Sequence, residues 1–259
     1  MSLHDDYARM TPFEIAFPDE RGLADLMEDV IEEATSRRVD ASLPGIFLTL
    51  GSVDDFVRQL RAPGAPDGAS MQYGALVFQA VQFVRAGRPL YLLETAAVRR
   101  LVEHAPDAAP RPPSTAGYLQ LPQHLFWMGA AEAGAPESVD GLFWVASDSG
   151  ALHVLPITGV LPDGAGFRAL PLPEAPLADA MDWLRADMRG TSADYSSSLP
   201  GHDLDGLYAM ETAGEVLKLL ARFFAYIGST PGAGGAATPE ATKGPRPSAL
   251  PYTRVALVA

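Results

Sequence analysis

The sequence predicts an α+β fold: a central antiparallel sheet around residues 118–172, packed by several amphipathic helices, with a flexible C-terminal tether that ends in a strand. Three observations predict it. Two apolar runs, 141–147 and 151–158, flank Asp148-Ser149-Gly150, and a three-residue turn closing on glycine is a common hairpin connection. Two of the three tryptophans, Trp127 and Trp144, lie in the same stretch. The segments on either side carry apolar residues at helical spacing, and such helices need a surface to cover.

The first residues read as an arm. Phe13, Ile15 and Phe17 alternate between Pro12 and Pro18, the pattern of a short edge strand. A helix over 19–38 follows, with Leu23, Leu26, Met27, Val30, Ile31 and Ala34 on one face and acidic residues on the other. Residues 45–50 form a short apolar run read as a strand. Ser52 and Asp55 then resemble a capping box that opens a helix with Val53, Phe56, Val57 and Leu60 inward. After the Pro/Gly loop 61–69, the segment 70–86 is apolar most of the way round, as in a central helix covered on two sides, and Gly87 stops it. Residues 89–93 read as a buried strand and 95–105 as a helix. The Pro/Ala-rich stretch 105–115 is a candidate sub-boundary within one domain spanning 1–259.

Strands are expected at 118–121 and 125–128, then a small-residue loop over 129–140. In the hairpin, pairing Ser147 with Ala151 sets Trp144 opposite Val154 and Val145 opposite His153. Leu142, Trp144, Leu152 and Val154 then share one face, and Phe143, Val145, His153 and Leu155 the other, so both faces are covered. A third strand is expected at 167–172, a helix at 176–189, a polar loop at 191–206 and a last helix at 208–227. The stretch 229–249 is rich in Gly, Ala, Pro and Thr and reads as flexible. The strand 252–258 after it would pair either into the main sheet or with another copy of the chain, the latter giving a homodimer by strand exchange.

Composition bounds the function. There is no cysteine, which removes disulfides, thiolate metal sites and cysteine nucleophiles. Net charge is −13, from 32 acidic and 19 basic residues. A phosphate backbone would be repelled, so no nucleic acid is expected as partner. An acidic surface suits solubility or a basic protein partner. No apolar run reaches the ~18 residues of a membrane span, and no basic-then-apolar leader follows Met1. A cytoplasmic protein without membrane association is expected.

Chemistry-bearing groups are sparse, and the sequence alone does not say what the protein does. The most polar knot is Gly201-His202-Asp203-Leu204-Asp205-Gly206. His202, Asp203 and Asp205 are metal-ligand types, and Glu211 or His153 would have to complete a site. A hydrolase or metal-dependent enzyme using the 196–206 loop, with His202, Asp205 and His153 as catalytic groups, is the alternative function. The simpler reading of the knot is a turn leading into the last helix. His124 and Trp127 form a candidate binding corner. No serine elbow, phosphate loop or Glu-x-x-His motif occurs, and no cofactor is expected. The preferred reading is a non-enzymatic interaction or regulatory protein. It rests on the missing catalytic motifs, the charge and the tethered strand, and it leaves open whether the protein is an enzyme.

Overall fold

The computed structural model describes residues 7–60, 69–103, 109–128, 137–160, 166–182, 184, 208–210, 213–239 and 246–258. In chain order these form α1 (Pro12–Ala16), α2 (Arg21–Arg37), α3 (Pro44–Phe47), α4 (Gly51–Leu60), α5 (Ala69–Arg85), β1 (Leu90–Leu93), α6 (Thr95–Glu103), β2 (Ala116–Gln120), β3 (Phe126–Met128), β4 (Glu137–Ala146) and β5 (Ala151–Thr158). Then come β6 (Arg168–Ala169), β7 (Ala175–Pro176), a 3₁₀ turn (Leu177–Asp179), β8 (Tyr208–Met210), α7 (Ala213–Ser229), β9 (Gly234–Ala237) and β10 (Tyr252–Val255).

The fold is α+β. One mixed sheet runs in the order β6-β5-β4-β2-β1-β10-β9. Its antiparallel part, β2, β4, β5 and β6, is the stretch read from the sequence, and β1 extends it by pairing parallel with both β2 and β10. The hairpin has the expected register: Trp144 faces Val154, and Val145 faces His153. Period-two alternation then sends its two faces to different cores. Phe143, Val145 and Leu155 meet α1, α2, α4 and α5; Leu142, Trp144, Leu152 and Val154 meet α6 and α7. Aromatic rings carry each contact. Phe13, Phe83, Phe143 and Tyr118 form a chain of ring pairs on one side, and Tyr91, Trp144, Phe223 and Phe224 on the other.

β4 contains a bulge between Val139 and Gly141. Val139 and Leu142 are three apart yet pack in the same core, which strict alternation forbids and one extra residue allows. Asp140 is that residue. The expected loop to 140 is therefore strand from Glu137 onward, and 129–136 lies outside the described residues.

Several local expectations are corrected. Residues 12–16 are helix, with Phe17 as its C-cap: Thr11 and Glu14 form a reciprocal capping box and Pro12 sits at the first turn. Phe13 and Phe17 are both buried at i, i+4 spacing, which the period-two pattern concealed. Residues 45–50 are the short helix α3 and a turn. Phe47 and Leu50, three apart, are buried while Leu48 points out, so the run has helical spacing. α4 is capped by Glu33 of α2, whose carboxylate accepts the Gly51 and Ser52 N–H groups and the Ser52 hydroxyl.

The last helix begins at Ala213, because Tyr208–Met210 pairs parallel with Phe126–Met128 instead. Of the helix expected at 176–189, the described residues show a 3₁₀ turn at Leu177–Asp179 followed by α-helix at 180–182 and 184; residues 183 and 185–189 lie outside the described ones. Within 229–249, Gly234–Ala237 forms β9 on β10, and Ser248 is buried, its N–H donating to the Ala8 carbonyl. Composition predicts poor side-chain burial for such a stretch, but backbone pairing supplies order without side chains. β10 lies between β1 and β9 in its own chain, so exchange between copies would move an interior strand. Among the described residues no helix is long and apolar enough to cross a membrane.

Candidate functional site

Among the described residues, the sheet end where β2 leads into β3 holds the predicted corner that the fold assembles. After β2 the chain turns through Pro122 and reaches His124 in the left-handed region, φ 60°. Few non-glycine residues adopt that conformation, and holding one there costs about 1 kcal/mol or more. The Trp127 indole N–H donates to the His124 carbonyl at 2.8 Å, and the His124 N–H donates to Ser138 Oγ at 3.2 Å. The two rings lie stacked, centroids 6.0 Å apart and planes 30° from parallel. Trp127 stands opposite Ser138 of β4 and Ala209 of β8, which fixes its strand. His124 is exposed and Trp127 half-buried. The imidazole therefore adds nothing to the core while its backbone is held strained.

Beneath this corner lies a buried polar network that the sequence reading missed. The Arg9 guanidinium donates to Asp140 Oδ1 at 2.9 Å and to the Leu121 carbonyl at 2.9 Å. Tyr118 donates its hydroxyl to Asp140 Oδ2 at 2.6 Å. Gln120 clasps the Arg9 backbone, accepting its N–H at 2.8 Å and donating to its carbonyl at 3.1 Å. Burial, helped by the Asp140 charge and hydrogen bond, pushes the Tyr118 hydroxyl well above the ordinary tyrosine range. The hydroxyl stays protonated and serves as a donor. These groups anchor the N-terminal arm to the end of β2 and to β4, inside the sheet. A lone Gln at the end of β2, and an Asp just before the apolar run 141–146, were the available signals.

His153 is buried on β5, edge-on to Phe78 at 6.0 Å. Its Nδ1 lies 3.8 Å from Glu174, and burial holds its pKa below the ordinary value against the pull of that carboxylate. The imidazole is thus neutral near pH 7. It lies on the face covered by α5, away from the His124 corner. His202, Asp203 and Asp205, with Glu211 and Ser196 to Ser198, fall outside the described residues. Among the described residues no group of three or more His, Asp or Glu could hold a metal ion.

Comparison with protein-family models, with curated proteins and with solved structures gives no match, so the function is argued from this chain's own residues.

Proposed function

We propose that the protein acts by binding another protein rather than by catalysis, and that the partner lays a basic segment on the His124–Trp127 corner. The observation that carries this reading is His124 itself: an exposed imidazole, stacked on a half-exposed indole and held at φ 60°. Strain kept at a surface residue with no core role points to recognition. Tryptophan is enriched among the residues that dominate interface energetics, and an indole face attracts Arg or Lys by about 0.5–2 kcal/mol. A net charge of −13 adds a field that draws a basic segment in, more strongly at low salt.

Fluorescence titration tests the reading. A hexa-arginine peptide is expected to change tryptophan emission with a salt-sensitive affinity, and a hexa-glutamate peptide to do nothing. Trp127→Ala should abolish the arginine response while leaving thermal unfolding nearly unchanged, since Trp127 is only half-buried whereas Trp144 is fully buried in the core. An unaltered response in Trp127→Ala, or equal responses to both peptides, would remove the reading.

A further inference from the structure

Helix α5 carries polar atoms that the fold leaves unanswered. Gln79 and Gln82 sit about one turn apart in a segment otherwise made of residues such as Val77, Phe78, Val81 and Phe83. The two glutamines are 3% and 9% exposed. Gln79 donates to the His153 carbonyl at 3.2 Å, and its Oε1 has no partner. Gln82 Oε1 is reached by Arg85 at 3.5 Å, and its Nε2 has no partner; His153 Nε2 has none either. A native interior keeps few such atoms, and each calls for an explanation. The protein's own side chains answer the Gln82 oxygen, through Arg85, but not its Nε2.

A cleft of about 220 Å³ has Gln82, alone of these three residues, on its wall. Its other polar lining is Ser42, Arg85, Thr115, Ser147 and Asp148. Its floor is Ala116 and Val145, paired across β2 and β4, and Val145 is in turn paired with His153. The cleft thus lies along the sheet row that ends in His153. It carries one charge of each sign, Arg85 and Asp148, and no ion pair joins them.

We propose that this cleft binds a free α-amino acid, with its carboxylate on Arg85, its ammonium on Asp148, and the Gln82 amide and neighbouring hydroxyls on its remaining polar atoms. The charges select the class. A simple anion would gain Arg85 but meet Asp148, and a metal cation the reverse; a zwitterion satisfies both. The volume lies below the ~300–1,000 Å³ of drug-sized sites, which suits a ligand of amino-acid size. This inference is independent of the His124–Trp127 reading and uses none of its residues.

The test is thermal unfolding and calorimetry of the full chain with each of the twenty common amino acids at about 10 mM, enough to fill a millimolar site. Acetate and succinate, which lack the amine, and methylamine, which lacks the carboxylate, are the controls. At least one amino acid is expected to raise Tm by about 2–4 °C, and the controls are expected to leave it unchanged. Arg85→Met and Asp148→Asn, both at exposed positions, should weaken binding at least about tenfold, the scale of one lost charge-assisted bond. Gln82→Leu separates a ligand role from a packing role. It should raise the Tm of the free protein while weakening the amino acid, whereas a structural glutamine would lower Tm on replacement. No binding by any amino acid, equal binding of an amine-free acid, or undiminished affinity in Arg85→Met would each overturn the proposal.

Discussion

Arg9 and Asp140 lie 131 residues apart in sequence and meet at 2.9 Å, each side chain only 9% exposed. A buried pair of this kind adds little over a well-packed apolar pair, but losing one partner strands the other charge. Arg9→Met is therefore expected to cost about 3–5 kcal/mol in denaturant unfolding. Adding Asp140→Asn should recover part of that loss, since no unpaired charge then remains; additive costs in the double variant would show that the two residues do not act as a pair.

Gly141 is required by close approach. A Cβ there would fall 2.4 Å from the Leu119 carbonyl oxygen and 2.5 Å from the Tyr118 ring. Backbone cannot yield as a flexible side chain can. Gly141→Ala should destabilise by about 2–3 kcal/mol, the upper part of the range for overpacking. Gly166→Ala, with nothing within 4 Å of its Cβ, is the control and should unfold at nearly the wild-type temperature.

Acid should loosen the α2–α4 contact. The Ser52 and Gly51 N–H groups hold the Glu33 carboxyl down at about 2, below its ordinary 4.5. A carboxyl depressed in the folded state contributes stability that is complete above pH 4.5 and lost as pH falls through about 2. Glu33→Gln should cost about 1 kcal/mol at neutral pH, the scale of a lost helix cap. It should also flatten the Tm curve across that acid window. An unchanged slope in the variant would contradict the capping role.

His153 sets a second, milder acid response. Its folded pKa lies below 6.5 because burial disfavours the imidazolium. Below pH 6.5 the unfolded chain binds the extra proton first, so this group's contribution is present above 6.5 and lost as pH falls through the lower folded value. His153→Leu should reduce the drop in Tm between about pH 7 and 5. An equal drop in variant and wild type would assign the acid response to other groups.

The hairpin and its two-sided burial were legible because they rest on local signals: a glycine-closed turn and strict alternation in 142–146 and 151–155. The α2, α5 and α7 faces were legible for the same reason, each being a helical stripe. What stayed hidden was set by distant partners. Glu33 caps a helix in another segment, β9 is ordered by partners such as Thr253 and Arg254, 17 and 19 residues on from Ala236 and Gly235, and the bulge at Asp140 brings its carboxylate to Arg9 and Tyr118. Of the candidate site residues, His124 and Trp127 were singled out as a polar-aromatic corner after Pro122, and the structure stacks them. Gln79 and Gln82 carried a signal that went unread, two amides spaced three apart inside an apolar helix.

The affinity of His124→Gly for the hexa-arginine peptide tests the central claim most directly. Glycine adopts φ 60° without penalty, so this variant should unfold at or above the wild-type temperature while binding the peptide at least about fivefold more weakly, the loss of about 1 kcal/mol of stacking support. Wild-type affinity in that variant would mean that the imidazole contributes nothing to recognition, and the corner would lose its functional reading.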